Sequence, residues 1–516
     1  MKSTTRKVLA GALLVGLCQP ITALAADQAD LEKKMEALEK ELESLKGQMK
    51  DTDRKVDKVE EKSIGRWLTI SGDYRFRYDY LQGRTAKYLV PNPADPMNPF
   101  PSASKSVKDS SLFTNRFGLN LKAKATQNVS VTARLLMYKV TGDQDDAALQ
   151  GNSAYSFDRA GAFDGTVGHV PGDSKLAVDR VYATWSNIMD QPIWFSVGRR
   201  PSTGGIPSHL KQNQERPGNA GVPQLLVDYA FDGGTLGWAP DIEALPGAYA
   251  KICYGRGFES GIQDSSNNSL KDTDMIGINI VPYDTDAFHA EFQYNRGMDI
   301  FDAPVMLTGP YTYLKPTANL GDIDWYGLSF LGKVKNAGPG SFHWFVNGAI
   351  SKTHPNGDLL GIDGNGDGQV DQNMPVALLS DMGDTKSTSG WAVYVGGRYD
   401  FESTGTKIGL EYNHGSKNWI TFAPAADDMW TSKVGTRGDV YEAYVIQELK
   451  FAPISSYLSK VFFKLGYQYY KFDYTGSNSW LGAAHEFNEL NNPMLAQMTA
   501  PMKTAQDLYA TFEVHF

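Results

Sequence analysis

The chain has 516 residues, a formal net charge of −9 and two Cys, with a mean hydropathy of −0.37. That length holds roughly three ordinary domains or one large barrel. The acidic balance argues against a nucleic-acid partner, two Cys cannot build a disulfide framework, and so polar an average excludes a bundle of transmembrane helices.

Residues 1–25 read as a secretory signal peptide. Lys2, Arg6 and Lys7 form a basic start, Val8 to Leu17 an apolar core too short to span a bilayer, and Ala23-Leu24-Ala25 a small-residue cleavage site. Cys18 does not make a lipoprotein signal, because the bulky Leu17 sits where a small residue is needed. Without any Cys-x-x-Cys-His there is no attachment site for c-type haem, so no haem is expected.

From 26 to 63 the chain is highly charged. Leu31, Met35, Leu38, Leu42, Leu45, Met49, Val56 and Val59 recur at alternating steps of four and three, with Thr52 in the one polar slot. Sustained over four heptads, that spacing predicts a periplasmic α-helical coiled coil and hence a homo-oligomer. A tether to the cell wall is the alternative use of the same segment.

After Ile64 the period changes to two. Leu68, Ile70, Tyr74, Phe76, Tyr78 and Tyr80 alternate with Thr69, Asp73, Arg75, Arg77 and Asp79. The pattern returns in Phe113–Lys124, Val129–Met137, Phe288–Asn295, Phe342–Ile350 and Val461–Tyr470. Short connections such as 126–128, 284–286 and 337–340 alternate with long ones rich in Gly, Pro, Asn and Asp: 81–109, 142–175, 201–223, 297–320, 353–388 and 473–503. Short turns at one end and long loops at the other predict an all-β transmembrane barrel over 64–516. About sixteen antiparallel strands are expected, beginning near residues 66, 111, 129, 176, 193, 224, 247, 271, 287, 321, 341, 389, 406, 437, 457 and 504. The last strand alternates Leu508, Ala510, Phe512, Val514 and Phe516 and stops on an aromatic, as outer-membrane barrels do.

A heptad segment followed at once by Trp67-Leu68-Thr69-Ile70-Ser71-Gly72-Asp73-Tyr74-Arg75-Phe76-Arg77, in a chain closing on Phe516, resembles a porin-type family of Gram-negative outer-membrane proteins catalogued largely as a domain of unknown function. The resemblance implies an outer-membrane channel bathed in lipid and supplies neither a solute nor site residues. Analogy with porins makes a trimer the favoured oligomer.

A barrel of this size is expected to enclose water and to pass small hydrophilic solutes or ions, selected by charged rings and inward loops. Strand parity turns Arg75, Arg77, Arg116, Lys122, Lys124, Arg134, Arg180 and Arg200 inward, partly offset by Asp73, Asp79 and Asp179. Later strands turn in Glu291, Glu411, Glu442, Glu448 and Glu513. Two readings follow: a basic wall facing an acidic one across the pore, or lumen charges paired with their neighbours. The 201–223 loop, with His209, Lys211, Glu215 and Arg216, is the candidate constriction.

Asp363, Asn365, Asp367, Gln369 (by its carbonyl) and Asp371, with Gly368 at the turn, resemble a calcium loop of the EF-hand kind, and Ca2+ bound in an external loop is expected. Met374 replaces the usual bidentate acid, which weakens the site, and Asp381 or Asp384 is the candidate to complete it. Catalysis has little support: no Gly-x-Ser-x-Gly or His-Glu-x-x-His occurs, and Gly172-Asp173-Ser174 lacks recognisable partners. The alternatives to a channel are a barrel that houses or docks a partner protein, such as a redox carrier, and an outer-membrane enzyme.

Overall fold

Sixteen strands are hydrogen-bonded each to the next in chain order, and the last returns to the first to close a barrel. They are β1 Leu68–Thr85, β2 Ser106–Lys124, β3 Val129–Val140, β4 Ala177–Ser186, β5 Ile193–Arg199, β6 Asp232–Trp238, β7 Tyr249–Phe258 and β8 Thr273–Asp284. β9 Phe288–Met298, β10 Gly321–Ala337, β11 Gly340–Pro355, β12 Ser389–Phe401, β13 Thr406–Gly415, β14 Gly438–Leu449, β15 Lys460–Phe472 and β16 Met502–His515 complete the circuit. Every pairing is antiparallel. The structure, a computed structural model, describes residues 67–516 apart from 93, 96, 143–163, 167, 173, 201, 219–220, 263–269, 303–315, 363–369, 371, 425–426, 452–458 and 498. The signal peptide, the 26–63 coiled coil and the calcium-like residues Asp363, Asn365, Asp367, Gln369 and Asp371 lie outside the described residues.

Closure joins β1 to β16 from Asp73↔His515 to Thr85↔Met502. Beyond the strand end, Gly72 and Phe516 exchange N–H···O bonds of 2.8 and 3.0 Å. A Cβ on Gly72 would fall 2.5 Å from the Phe516 ring, so the seam requires glycine there.

Alternation sorts the side chains. On β1, Asp73, Arg75, Arg77 and Asp79 are buried inside, while Ile70 and Phe76 are exposed outside. The outer set continues as Ile276, Ile278 and Ile280 on β8, Leu328 and Phe330 on β10, and Phe463 and Leu465 on β15. A contiguous apolar belt of this extent is a liability in water and the proper face of a barrel in lipid. Trp185, Trp238 and Phe342 edge it at the short-turn end. Toward the long-loop end, Tyr254, Tyr326 and Tyr441 edge it, each followed two residues on or back by a charge: Arg256, Asp324 and Asp439. No helix among the described residues is long and apolar enough to cross a membrane.

The expected strand starts match closely, with one large departure. The sixth strand begins at Asp232 rather than 224, because the apolar run Gln224–Phe231 is spent elsewhere: Leu225, Leu226, Val227, Tyr229 and Phe231 are buried inside the barrel in its main apolar cluster. Consecutive Asp179 and Arg180 both face inward through a bulge, where Arg134 pairs with Arg180 but Leu135 with Val178.

Candidate functional site: the barrel interior

Two of the long connections turn into the barrel. The third, residues 200–231, descends as two limbs held together by Arg200 N–H to Phe231 O (2.9 Å), Ser202 Oγ to Tyr229 O (2.5 Å) and Gly204 N–H to Asp228 Oδ1 (2.7 Å). Its tip is one helical turn, Ser208–Lys211. Arg398 donates to Leu210 O at 2.6 Å, Lys464 to Lys211 O at 3.1 Å, and Lys407 to Asn213 Oδ1 at 2.6 Å. Arg216 binds the Asp284 carboxylate and Thr285 O. Asp284, Lys407 and Arg398 lie near the short-turn ends of β8, β13 and β12, so the loop runs most of the depth of the barrel.

The seventh connection, residues 416–437, brings a second apolar run inside. Phe422 stacks on Trp480 (centroids 5.8 Å) and meets Tyr229 edge-on at 5.0 Å. The buried indoles spend their N–H groups on backbone carbonyls: Trp325 on Ile420 (2.9 Å), Trp419 on Val434 (2.7 Å) and Trp480 on Phe301 (2.9 Å). Thr421 Oγ1 donates to Leu225 O at 2.7 Å, stitching the two loops together. The wide aqueous lumen expected from strand number is therefore not what these residues build: apolar segments that read as strand or loop fill the interior toward the long-loop end. The sequence reading missed the seventh loop, although Trp419-Ile420-Thr421-Phe422-Ala423 is an apolar run in a connection, with no strand of its own to belong to.

Below this core the interior is a network of ion pairs. Arg75 holds Asp427 of the seventh loop at 2.5 and 2.7 Å. Arg77 lies between Asp79 (2.6 Å) and Asp507 (2.8 Å). Arg116 approaches Asp427 and Asp73 at 3.4 and 3.5 Å, and Arg134 binds Asp73 at 2.6 Å. Arg180 and His169 share Asp179, at 3.1 and 2.5 Å. Arg200 is different: it donates to Ser196 Oγ and stacks over Tyr182 at 5.0 Å. Lys122 and Lys124 are exposed at the short-turn end of β2. On the acid-bearing wall, β13–β16, which adjoins β1 through the closure, Lys433 binds Glu411 (2.5 Å) and Glu442 (2.6 Å), and Lys464 binds Glu513 (2.7 Å), the cross-strand partner of Arg75. Both walls thus carry their own counter-charges, and the pairing is local.

Of the third-loop residues, Lys211 reaches Glu442 at 2.7 Å and Asp428 at 3.4 Å, His209 is buried, and Glu215 is exposed. Burial, with Arg398 and Arg216 close by, pushes the His209 imidazole down to about 3. Burial alone would raise the Asp427 carboxyl, but Arg75 and Arg116 outweigh it and hold it well below the usual range. Burial likewise opposes the Lys433 ammonium, and Glu411 and Glu442 reverse the sign and hold it well above the usual lysine value.

Two cavities flank the third-loop tip. One of about 520 Å³ lies against β1–β4, lined by Gly72, Asp73, Arg116, Arg134, Arg180, His169, His209, Asp228 and Phe516 among others. The other, about 300 Å³, lies against β10–β13 with Arg216, Lys333, His343, Arg398 and Lys407. Of the residues named to complete a calcium shell, Asp381 binds His485 (2.6 Å) and Asp384 binds Ser380 (3.3 Å). Gly172 is tied to β3 through Val140 and Tyr138, and Asp173 lies outside the described residues.

Among solved structures, OprB of Pseudomonas putida is similar with 9% identity over 88% of this chain and 95% of its own, at a TM-score of 0.42. OmpT, an outer membrane protein of Vibrio cholerae, in its trimer form, gives 12% over 87% and 100%, at 0.37. An anion-selective porin from Comamonas acidovorans gives 10% over 86% and 99%, at 0.38. The barrel assignment rests on the chain's own strand pairing and not on these likenesses. No curated protein matches the chain. The profile of one family matches residues 106–516, which takes in β2 to β16 and both inward loops, and the chain belongs to that family, described as a protein of unknown function (DUF3373).

Proposed function

We propose that this barrel is an outer-membrane channel through which small hydrophilic solutes or ions diffuse passively, along the side of the lumen between the third loop and β1–β4. The carrying observation is the cavity of about 520 Å³ there, which reaches from Gly72, His515 and Phe516 at the short-turn end past Arg116, Arg134 and Arg180 to Thr203 and Asp228. Its lining is guanidinium, carboxylate, imidazole and amide groups, which replace hydration for a charged or strongly polar solute. Phe516 is its one phenyl, phenol or indole ring among the described residues, so nothing there offers a stacking track for sugar rings.

In this reading the short turns face the periplasm, the apolar belt meets lipid, and the heptad segment 26–63 joins copies of the chain. The test is single-channel conductance of the purified full chain in planar bilayers, with reversal potentials in a salt gradient. Open steps are expected without any partner or substrate. Arg180→Glu, which reverses the most exposed of the three cavity arginines, should move the reversal potential toward cations. A barrel that gives no steps, or an unchanged reversal potential in that variant, would remove the channel or its path respectively.

A further inference from the structure

Arg75 on β1 and Arg116 on β2 are direct cross-strand partners. Two like charges set opposite each other repel, and inside a barrel they do so with little water to screen them. Anions relieve this: Glu513 stands opposite Arg75 on β16 and Asp73 lies 3.5 Å from Arg116, but the carboxylate that both guanidinium groups touch is that of Asp427, delivered from a loop 352 positions along the chain. Arg75 grips it through both terminal nitrogens, Nη1 to Oδ2 at 2.5 Å and Nη2 to Oδ1 at 2.7 Å, with Arg116 Nη1 at 3.4 Å from Oδ2. Such a fork is the geometry by which arginine selects a carboxylate over a spherical anion.

Three further features point to a site rather than a structural tie alone. The Nε atoms of Arg75 and Arg116 are both buried and carry no hydrogen-bond partner among the described residues, so the pair retains unspent donors. Arg116 and Asp427 both line the cavity of about 520 Å³, and Arg75 lies buried directly behind Asp427, so the Asp427 carboxylate is the face that the clamp presents to the solute path. Asp427 sits at φ 61°, in the left-handed region that Asp adopts more readily than most residues but still at a modest cost, so its seat in the clamp is held against a small backbone penalty.

We propose that Arg75 and Arg116 form a carboxylate-binding subsite of the channel, in which Asp427 stands in for the carboxylate of a small organic acid that displaces it during passage. The proposal rests on the channel reading for its purpose, but the clamp can be tested without any current. Asp427→Ala vacates the clamp in the full-length barrel, and its thermal unfolding is followed in detergent with sodium acetate or sodium chloride at equal ionic strength.

The variant should melt lower than the wild type, and acetate should raise its Tm by about 1–2 °C at roughly ten times the acetate Kd, with chloride giving no such rise. Wild-type Tm should not respond, and adding Arg75→Gln to the variant should abolish the rescue. Equal shifts with both salts, or rescue that survives Arg75→Gln, would overturn the subsite. Should Asp427→Ala fail to form a barrel, the nearly isosteric Asp427→Asn is read in the same way, and no acetate-specific shift in it overturns the proposal. A barrel that conducts nothing yet shows the rescue would remove the channel and leave the clamp, whereas a conducting barrel without rescue would remove the clamp alone.

Discussion

His209 shows what one buried side chain imposes on the interior. Its imidazole is held neutral by burial and by the facing cations Arg398 and Arg216, with His343 and His289 adding to the effect. Asp400 and Asp284, the carboxylates nearby, are engaged by Arg398 and by Arg216 and His289. A histidine whose seated pKa is about 3, against about 6.5 when released, favours the seated loop fully above pH 6.5. It loses that contribution as pH falls toward 3, at about 1.4 kcal/mol per pH unit. His169 works in the opposite direction, since Asp179 raises its pKa against the effect of burial, but it lies in a different loop. Hydrogen exchange at residues 206–214 should therefore speed up between pH 7 and pH 5 relative to the barrel strands, after correction for intrinsic rates. His209→Gln should flatten that difference, and an unchanged pH response in it would mean another group is responsible. Parity over Asp73–Asp79 is enough to say which side chains turn inward, but it is blind to what they meet. The partner of Arg75 comes from a distant loop, and no local period encodes a contact across 352 positions.

At the level of elements, strands were legible wherever the two faces differ in polarity. β3, β5, β10, β12 and β13 begin at the residue expected, because an alternating strand in lipid has only one register that keeps charge off the apolar side. Loops carry no such rule. Gln224–Phe231 reads as strand by its apolar content, yet it packs on Phe422 and Trp480 inside the barrel. Phe422→Ala should test how far this core is an element of its own. Removing a fully buried ring that touches Tyr229, Phe231, Trp325 and Trp480 should cost about 3–5 kcal/mol. The loss should appear as protease cleavage in the 200–231 and 416–437 loops while the barrel still migrates as a folded, heat-modifiable band. Simultaneous loss of both would show that the loop core and the strands form one cooperative unit.

For the whole molecule, closure and the even strand number bring Leu68 and Phe516 to the same end of the barrel. The heptad segment 26–63 is the proposed contact between copies of the chain. Deleting residues 27–62 should lower the oligomer mass measured by light scattering in detergent without altering unit conductance in bilayers. A truncated chain that keeps its mass would place the oligomer contact on the barrel wall. The interior has one more effect. A hollow cylinder of strands ovalises when the surrounding bilayer squeezes it, but here Arg216 is tied to Asp284 on β8 and Asp427 to Arg75 on β1, with a packed aromatic core between the loops that carry them. These loops act as cross-struts, and because their close-packed apolar core barely compresses, the barrel's cross-section is braced from within against the lateral pressure of the membrane around it.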